Sequence, residues 1–145
     1  MTDRPAVYRL ARVSSVVLGA MSLAFGSLKL ISPFRDWYGV QIHTAGLPAE
    51  SYALGIIGEI VIGIAFLVPL IWTSTKRALW IVGSLGMIVM MGVAIYVHLH
   101  PAVPADVLPL KLKPPIIPAA VLIAAALTLF DLRRRRVRIP YATTV

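Results

Sequence analysis

The chain has 145 residues, is 59% hydrophobic and only 14% charged, and carries a net charge of +8 with no cysteine. A soluble domain is ordinarily about 45–50% apolar and about a quarter charged, so this composition excludes that class and indicates an integral membrane protein. The lack of cysteine excludes thiolate nucleophiles, disulfide exchange and cysteine-ligated metals within the chain.

Four apolar runs predict helices that span a bilayer, over about 13–31, 52–72, 78–98 and 116–132. Each approaches the roughly 20 residues that cross a hydrocarbon core about 30 Å thick, and none alternates as outer-membrane strands do. Arg4, Arg9 and Arg12 precede the first run as in a signal sequence. Its length and the three runs after it identify it instead as a retained span. The expected fold is an all-α integral membrane protein, a single four-transmembrane-helix bundle over 1–145 with a basic tail at 133–145.

Basic residues set the direction of insertion. Lys76 and Arg77 occupy the short second connection, and the tail holds Arg133, Arg134, Arg135, Arg136 and Arg138. The first connection has only Arg35, and the third Lys111 and Lys113. The positive-inside rule then places both termini in the cytoplasm of a cell-membrane protein. Arg133 to Arg136 would contact anionic lipid headgroups, with Asp131 pairing locally, and nucleic acid is not expected as a partner.

The connections have distinct chemistry. Ser32-Pro33 ends the first span, because proline cannot continue a helical ladder, and Pro48 suits the start of the second. Spans two and three are joined by a short turn and should be antiparallel neighbours. The third connection, His98 to Pro115, contains Pro101, Pro104, Pro109, Pro114 and Pro115 and reads as an extended segment over the outer face. Trp37, Tyr38, Trp72 and Trp80 lie near predicted boundaries and read as interfacial anchors.

Small residues recur at helical spacing on the first two spans. Ser15, Gly19, Ser22 and Gly26 form one stripe that ends at Lys29, and Gly55, Gly58 and Gly63 accompany Glu59 on the second. Such residues let backbones approach where lipid removes the usual hydrophobic drive between helices. A carboxylate within a span costs about 2.5–3.5 kcal/mol on insertion scales, so Glu59 requires a partner, a proton or a ligand. Glu59 is expected about two turns, ~10 Å, below the outer surface, in the half that also holds Lys29, His98 and His100. These four predict a Lys29–Glu59 ion pair or a polar pocket. His98-Leu-His100 is a poor metal motif, since residues two apart do not share a helix face. No catalytic set, phosphate loop or haem ligation pattern is present.

The chain resembles the DoxX-like family of small four-helix membrane proteins. The matching segments are Gly26-Ser-Leu-Lys29-Leu30, Ala45-Gly-Leu-Pro48, Leu54-Gly-Ile-Ile-Gly58-Glu59-Ile60 and Gly92-Val-Ala-Ile-Tyr-Val-His98. The resemblance implies a non-catalytic subunit or accessory protein of a membrane system, some relatives serving quinone-linked oxidoreductases and others the assembly of membrane proteins. Quinone is then the candidate ligand, with no metal or haem, and another membrane protein or a lipophilic small molecule the candidate partner beside the bilayer. A small proton-coupled transporter using Glu59, and an assembly or interaction factor, are the alternatives.

Overall fold

A computed structural model describes residues 9–72 and 76–134. Among these residues the chain forms five α-helices and no strand: α1 (Arg9–Leu28), α2 (Phe34–Thr44), α3 (Glu50–Ile71), α4 (Lys76–Leu99) and α5 (Ile116–Arg134). Two 3-10 turns, Ala105–Val107 and Pro109–Lys111, lie between α4 and α5. All but α2 are long and apolar enough to cross a membrane, which supports a multi-pass membrane protein. The expected spans are present, with ends displaced by up to one turn. The largest displacement is at α1, which is already helical at Arg9, the first described residue, and so includes Arg12.

The four long helices form an antiparallel ring in the order α1, α3, α4, α5, with α5 returning to α1. The small-residue stripe of α1 is one of its seams. A Cβ added to Gly63 would lie 2.6 Å from Leu23 Cγ and 3.0 Å from the Gly19 carbonyl, and one added to Gly26 would lie 3.1 Å from both Glu59 Cβ and Ile60 Cγ1. Ser22 Oγ also donates to the Glu59 carbonyl at 2.7 Å. Gly58 faces Met90 across the α3–α4 seam. Outside these seams each long helix presents large apolar residues, such as Leu54, Ile57 and Val61 on α3 and Val82 and Val89 on α4. Exposed apolar surface on that scale is costly in water and ordinary in lipid.

Two packed layers fill the ring. Near residues 9, 72, 76 and 134, Ala11, Leu18, Phe66, Trp80, Ala125 and Leu132 share one buried cluster. Trp80 is only 2% exposed and its Nε1 donates to the Phe66 carbonyl at 3.2 Å. It is therefore a core residue rather than the interfacial anchor its sequence position suggested. Pro69 is buried inside α3 and supplies no N–H to the ladder, which leaves the Ala65 carbonyl, four residues earlier, without its helical donor.

At the opposite end α2 and the third connection make a cap. The first connection is thus helical over most of its length, a helix that the sequence reading did not predict. Pro33 starts α2 and Gly46 ends it. Gly46 has φ +66, its N–H bonds the His43 carbonyl at 3.2 Å, and the Leu47 N–H bonds the Ile42 carbonyl at 3.1 Å. These two bonds are the Schellman arrangement, and Leu47 packs on the cluster containing Ile42 as that motif requires. The proline-rich connection is only partly extended: Val103, Val107 and Leu108 are buried with Ala45 and Val97 in a second core.

Because α1 and α3 meet backbone to backbone, enlarging Gly63 to Leu should lower the unfolding midpoint in detergent, by about 1–3 kcal/mol of overpacking. Gly92→Ala, at an exposed position with nothing within 4 Å of the added Cβ, should leave it unchanged. Equal midpoints for the two variants would refute this account of the seam.

Candidate functional site

Between the two packed layers lies a cavity of about 540 Å³. Its wall is mainly apolar and includes Phe25, Met87, Met90, Met91 and Val121, with polar groups among them: Ser22, Lys29, Tyr38, Gln41, Glu59, His98, Asp106 and Lys111. A mostly apolar hollow with a small number of placed polar groups is the usual form of a small-molecule site.

Each polar group is held by a particular element. Lys29 follows the last turn of α1, where its ammonium reaches Glu59 Oε1 at 2.6 Å. The two side chains are 18% and 10% exposed, so the pair is shielded from bulk solvent on both sides. Gly26 makes the approach possible, since a larger residue there would press on Glu59 Cβ. The other carboxylate oxygen, Oε2, is buried with no hydrogen-bond partner among the described residues. In a low-dielectric interior an unpaired lone pair of this kind is expensive, which marks Glu59 as an incompletely satisfied group in the wall.

Tyr38 completes the pair from α2. Its ring lies 4.0 Å from Lys29 Nζ, a cation–π contact that adds to the carboxylate's hold on the ammonium. The hydroxyl donates to the Ser51 carbonyl at 3.2 Å, and the ring stacks obliquely on Tyr52 with centroids 5.1 Å apart. Gly55 is the reason this fits, because a Cβ there would fall 1.8 Å from the Tyr38 hydroxyl. Burial, followed by the nearby Glu59 charge, pushes the Tyr38 phenol up to about 12. Outside the cavity, at the start of α2, Ser32 donates to Asp36 at 2.6 Å and holds that exposed carboxyl below its usual range.

His98 and His100 separate. His98 is buried at the end of α4, lines the cavity, and rests against the backbone of Leu112 and Lys113. Its Nδ1 has no hydrogen-bond partner among the described residues. His100 is not in the wall; its ring packs on Tyr96 with centroids 5.6 Å apart. Two residues along a helix end point to different sides, so His100 drops out of the expected set; Lys29, Glu59 and Tyr38 are in contact, and His98 lines the same cavity apart from them. Among the described residues no three His, Asp or Glu side chains gather as a metal site would require.

The cap is tied down by side chains that bond to backbone carbonyls. Gln41 Nε2 donates to Val107, and the Tyr96 hydroxyl donates to Ala45 at 3.1 Å. Lys113 Nζ donates to His100 at 2.7 Å and also to Val103. At the other end Arg12, Arg133 and Arg134 are exposed, Arg134 lying over Phe130 at 4.2 Å, and Arg77 bonds the Leu132 carbonyl at 3.0 Å. Arg135 and Arg136 lie outside the described residues.

Trp37, Tyr38 and Gln41 enter the site although the sequence reading treated the first two as surface anchors. A signal existed: Phe34, Trp37, Tyr38 and Ile42 recur at helical spacing between Pro33 and Gly46, the proline-start and glycine-stop pattern of a helix.

Removing one member of a shielded ion pair strands the other, at a cost of about 3–5 kcal/mol, whereas removing both costs less. Lys29→Met and Glu59→Gln should therefore each lower the unfolding midpoint, and the double variant should be more stable than the sum of the two losses predicts. Additive losses would show that the groups do not act as a pair. For Tyr38, whose phenol ionises later in the fold than in an unfolded chain, the stabilisation is present below pH 10 and is lost as pH rises toward 12. Ultraviolet titration of wild type against Tyr38→Phe should show the difference absorbance appearing near pH 12, and its appearance near pH 10 would refute the buried setting. Comparison of the chain with protein-family models, with curated proteins and with solved structures returns no match.

Proposed function

We propose that the chain is a DoxX-like multi-pass protein of the cell membrane, an accessory protein or non-catalytic subunit of a quinone-linked redox system, whose cavity holds a lipophilic molecule with a polar head. The observation that carries this reading is the cavity itself: about 540 Å³, largely apolar, with the Lys29–Glu59 pair in its wall. A quinone ring is a suitable occupant in chemical terms. Its carbonyls accept hydrogen bonds, and Lys29 keeps donors beyond the one given to Glu59, since an ammonium has several. The apolar remainder of the molecule would lie against Met87, Met90 and Met91, whose flexible side chains fit irregular shapes.

The residues that carry the family resemblance also support the reading. Gly26 and Lys29 belong to one matching segment and Glu59 and His98 to two others; Lys29, Glu59 and His98 line the cavity, and Gly26 lies against Glu59. For orientation, the exposed arginines at the ends of α1 and α5 favour a cytoplasmic location for that end, with the cap and the cavity in the outer half.

The binding test uses purified protein in lipid nanodiscs titrated with short-tailed ubiquinone and menaquinone analogues, with the fluorescence of Trp37 in the cavity wall as one readout. Saturable quenching is expected, weakened by roughly tenfold or more in Lys29→Met, which removes the charged donor to a quinone carbonyl. Absence of saturable binding would sink the ligand reading. For orientation, the cysteine-free chain permits a single His43→Cys or Arg134→Cys. A membrane-impermeant maleimide applied to intact cells should label the first and spare the second; the reverse pattern would invert the topology.

A further inference from the structure

The cavity is not equally closed on all sides. On the α1–α3 seam Gly19 and Gly26 bring the backbones into contact, and on the α3–α4 seam Gly58 and Gly86 meet Met90 and Ile62 directly. Between α4 and α5 Arg77 bonds the Leu132 carbonyl at the far end, and at the cavity end His98 rests against the backbone of Leu112 and Lys113 just before α5. The α1–α5 seam is different. Its half near the chain ends is packed, with Ala11, Leu18, Ala125 and Leu132 in one buried cluster. In the other half, Met21, Phe25 and Leu28 of α1 and Ile117, Pro118 and Val121 of α5 all line the cavity.

The rim of that half-seam is apolar and exposed. Phe25 is 39% and Leu28 37% exposed, and Phe34 at the start of α2 is 41% exposed. Leu110, also in the cavity wall, is 75% exposed and sits with Lys111 in left-handed backbone, φ 54 and 55. That conformation costs a residue with a side chain about 1–2 kcal/mol, and strain of this kind concentrates where a segment is shaped for a task. Phe25, Leu28, Phe34 and Leu110 at this rim repel water and admit hydrocarbon, while the exposed charges of the wall, Asp106 and Lys111, lie on the third connection.

We propose that the cavity takes its ligand sideways from the bilayer, through the α1–α5 half-seam rimmed by Phe25, Leu28, Phe34 and Leu110. A bound molecule then keeps its polar head near Lys29 and Glu59 and its tail in the lipid between α1 and α5. The ligand class is accordingly an amphiphile with a polar head and a hydrocarbon tail rather than a compact solute. This deepens the reading of the cavity as a site for lipophilic molecules, and it is testable without knowing which one binds.

Ala94 lines the cavity wall on α4, so Ala94→Cys places the sole thiol of the chain there. In proteoliposomes it is challenged with a long-chain N-alkyl maleimide, which partitions into the bilayer, and with a sulfonated maleimide, which stays in water. The alkyl reagent should react much faster. Adding Leu28→Trp and Val121→Trp together should slow it by roughly tenfold, the factor that about 1.4 kcal/mol on an entry barrier gives. Ile123→Trp, on the exposed face of α5, should leave the rate unchanged and serves as the control for folding. Faster reaction with the sulfonated reagent would show entry through the cap and overturn the proposal. Slowing by Val93→Trp instead, at the exposed cavity residue of α4, would place the entrance elsewhere and also overturn it. No reaction with either reagent, with the thiol reactive once the protein is denatured, would show a closed cavity and overturn it as well. Each of these results is independent of the quinone titration, so failure of the route and failure of the ligand reading are distinguishable.

Discussion

An ion pair between Lys29 and Glu59 is the constraint around which this bundle is arranged. A carboxylate inside an apolar helix is tolerable only when its charge is met nearby, and here the ammonium arrives from the end of the neighbouring helix at 2.6 Å. That distance fixes the rotation of α1 against α3, and the neighbouring contacts agree with it. Gly26 leaves room at the level of Glu59, Ser22 bonds the Glu59 backbone, and Gly19 and Gly63 continue the close approach further along. One polar contact and a column of missing side chains thus set the same register.

The pair also determines what the cap must do. A charged site at the mouth of a bundle would hydrate if left open. Instead α2 lays Tyr38 over the ammonium, and the third connection folds Val107 and Leu108 into a small core of their own. The result is two packed layers with a hollow between them. The hollow follows from geometry: small residues hold α1, α3 and α4 together, while α1 and α5 touch closely in only one half.

The four long helices were legible from the sequence because length and apolarity are the whole requirement for a span, and the small-residue stripes marked which faces approach. Lys29 and Glu59 could be assigned to one half of the bundle from their positions in adjacent, oppositely directed runs. Less was legible about the connections. The α2 segment mixes Arg35, Asp36, Gln41 and His43 with aromatics and is too short to be recognised by hydropathy; only its helical spacing and its proline and glycine limits betray it. Trp80 shows the opposite failure. A tryptophan near a span's end is usually interfacial, but here the Phe66 carbonyl beside Pro69 gives its N–H a partner in the core. The cavity had no sequence signal of its own, since a void is a property of several helices at once.

The bonds that fasten the cap share one property: each donor is a side chain, Gln41, Tyr96 or Lys113, and each acceptor is a backbone carbonyl, at Val107, Ala45 or at His100 and Val103. A carbonyl is the same whatever residue bears it. Across related sequences the accepting positions are therefore free to drift among residues of similar bulk without loosening the closure, while the donors are not. The polar information that keeps the cap shut is held by three side chains, and it works beside the buried core of Ala45, Val97, Val103, Val107 and Leu108.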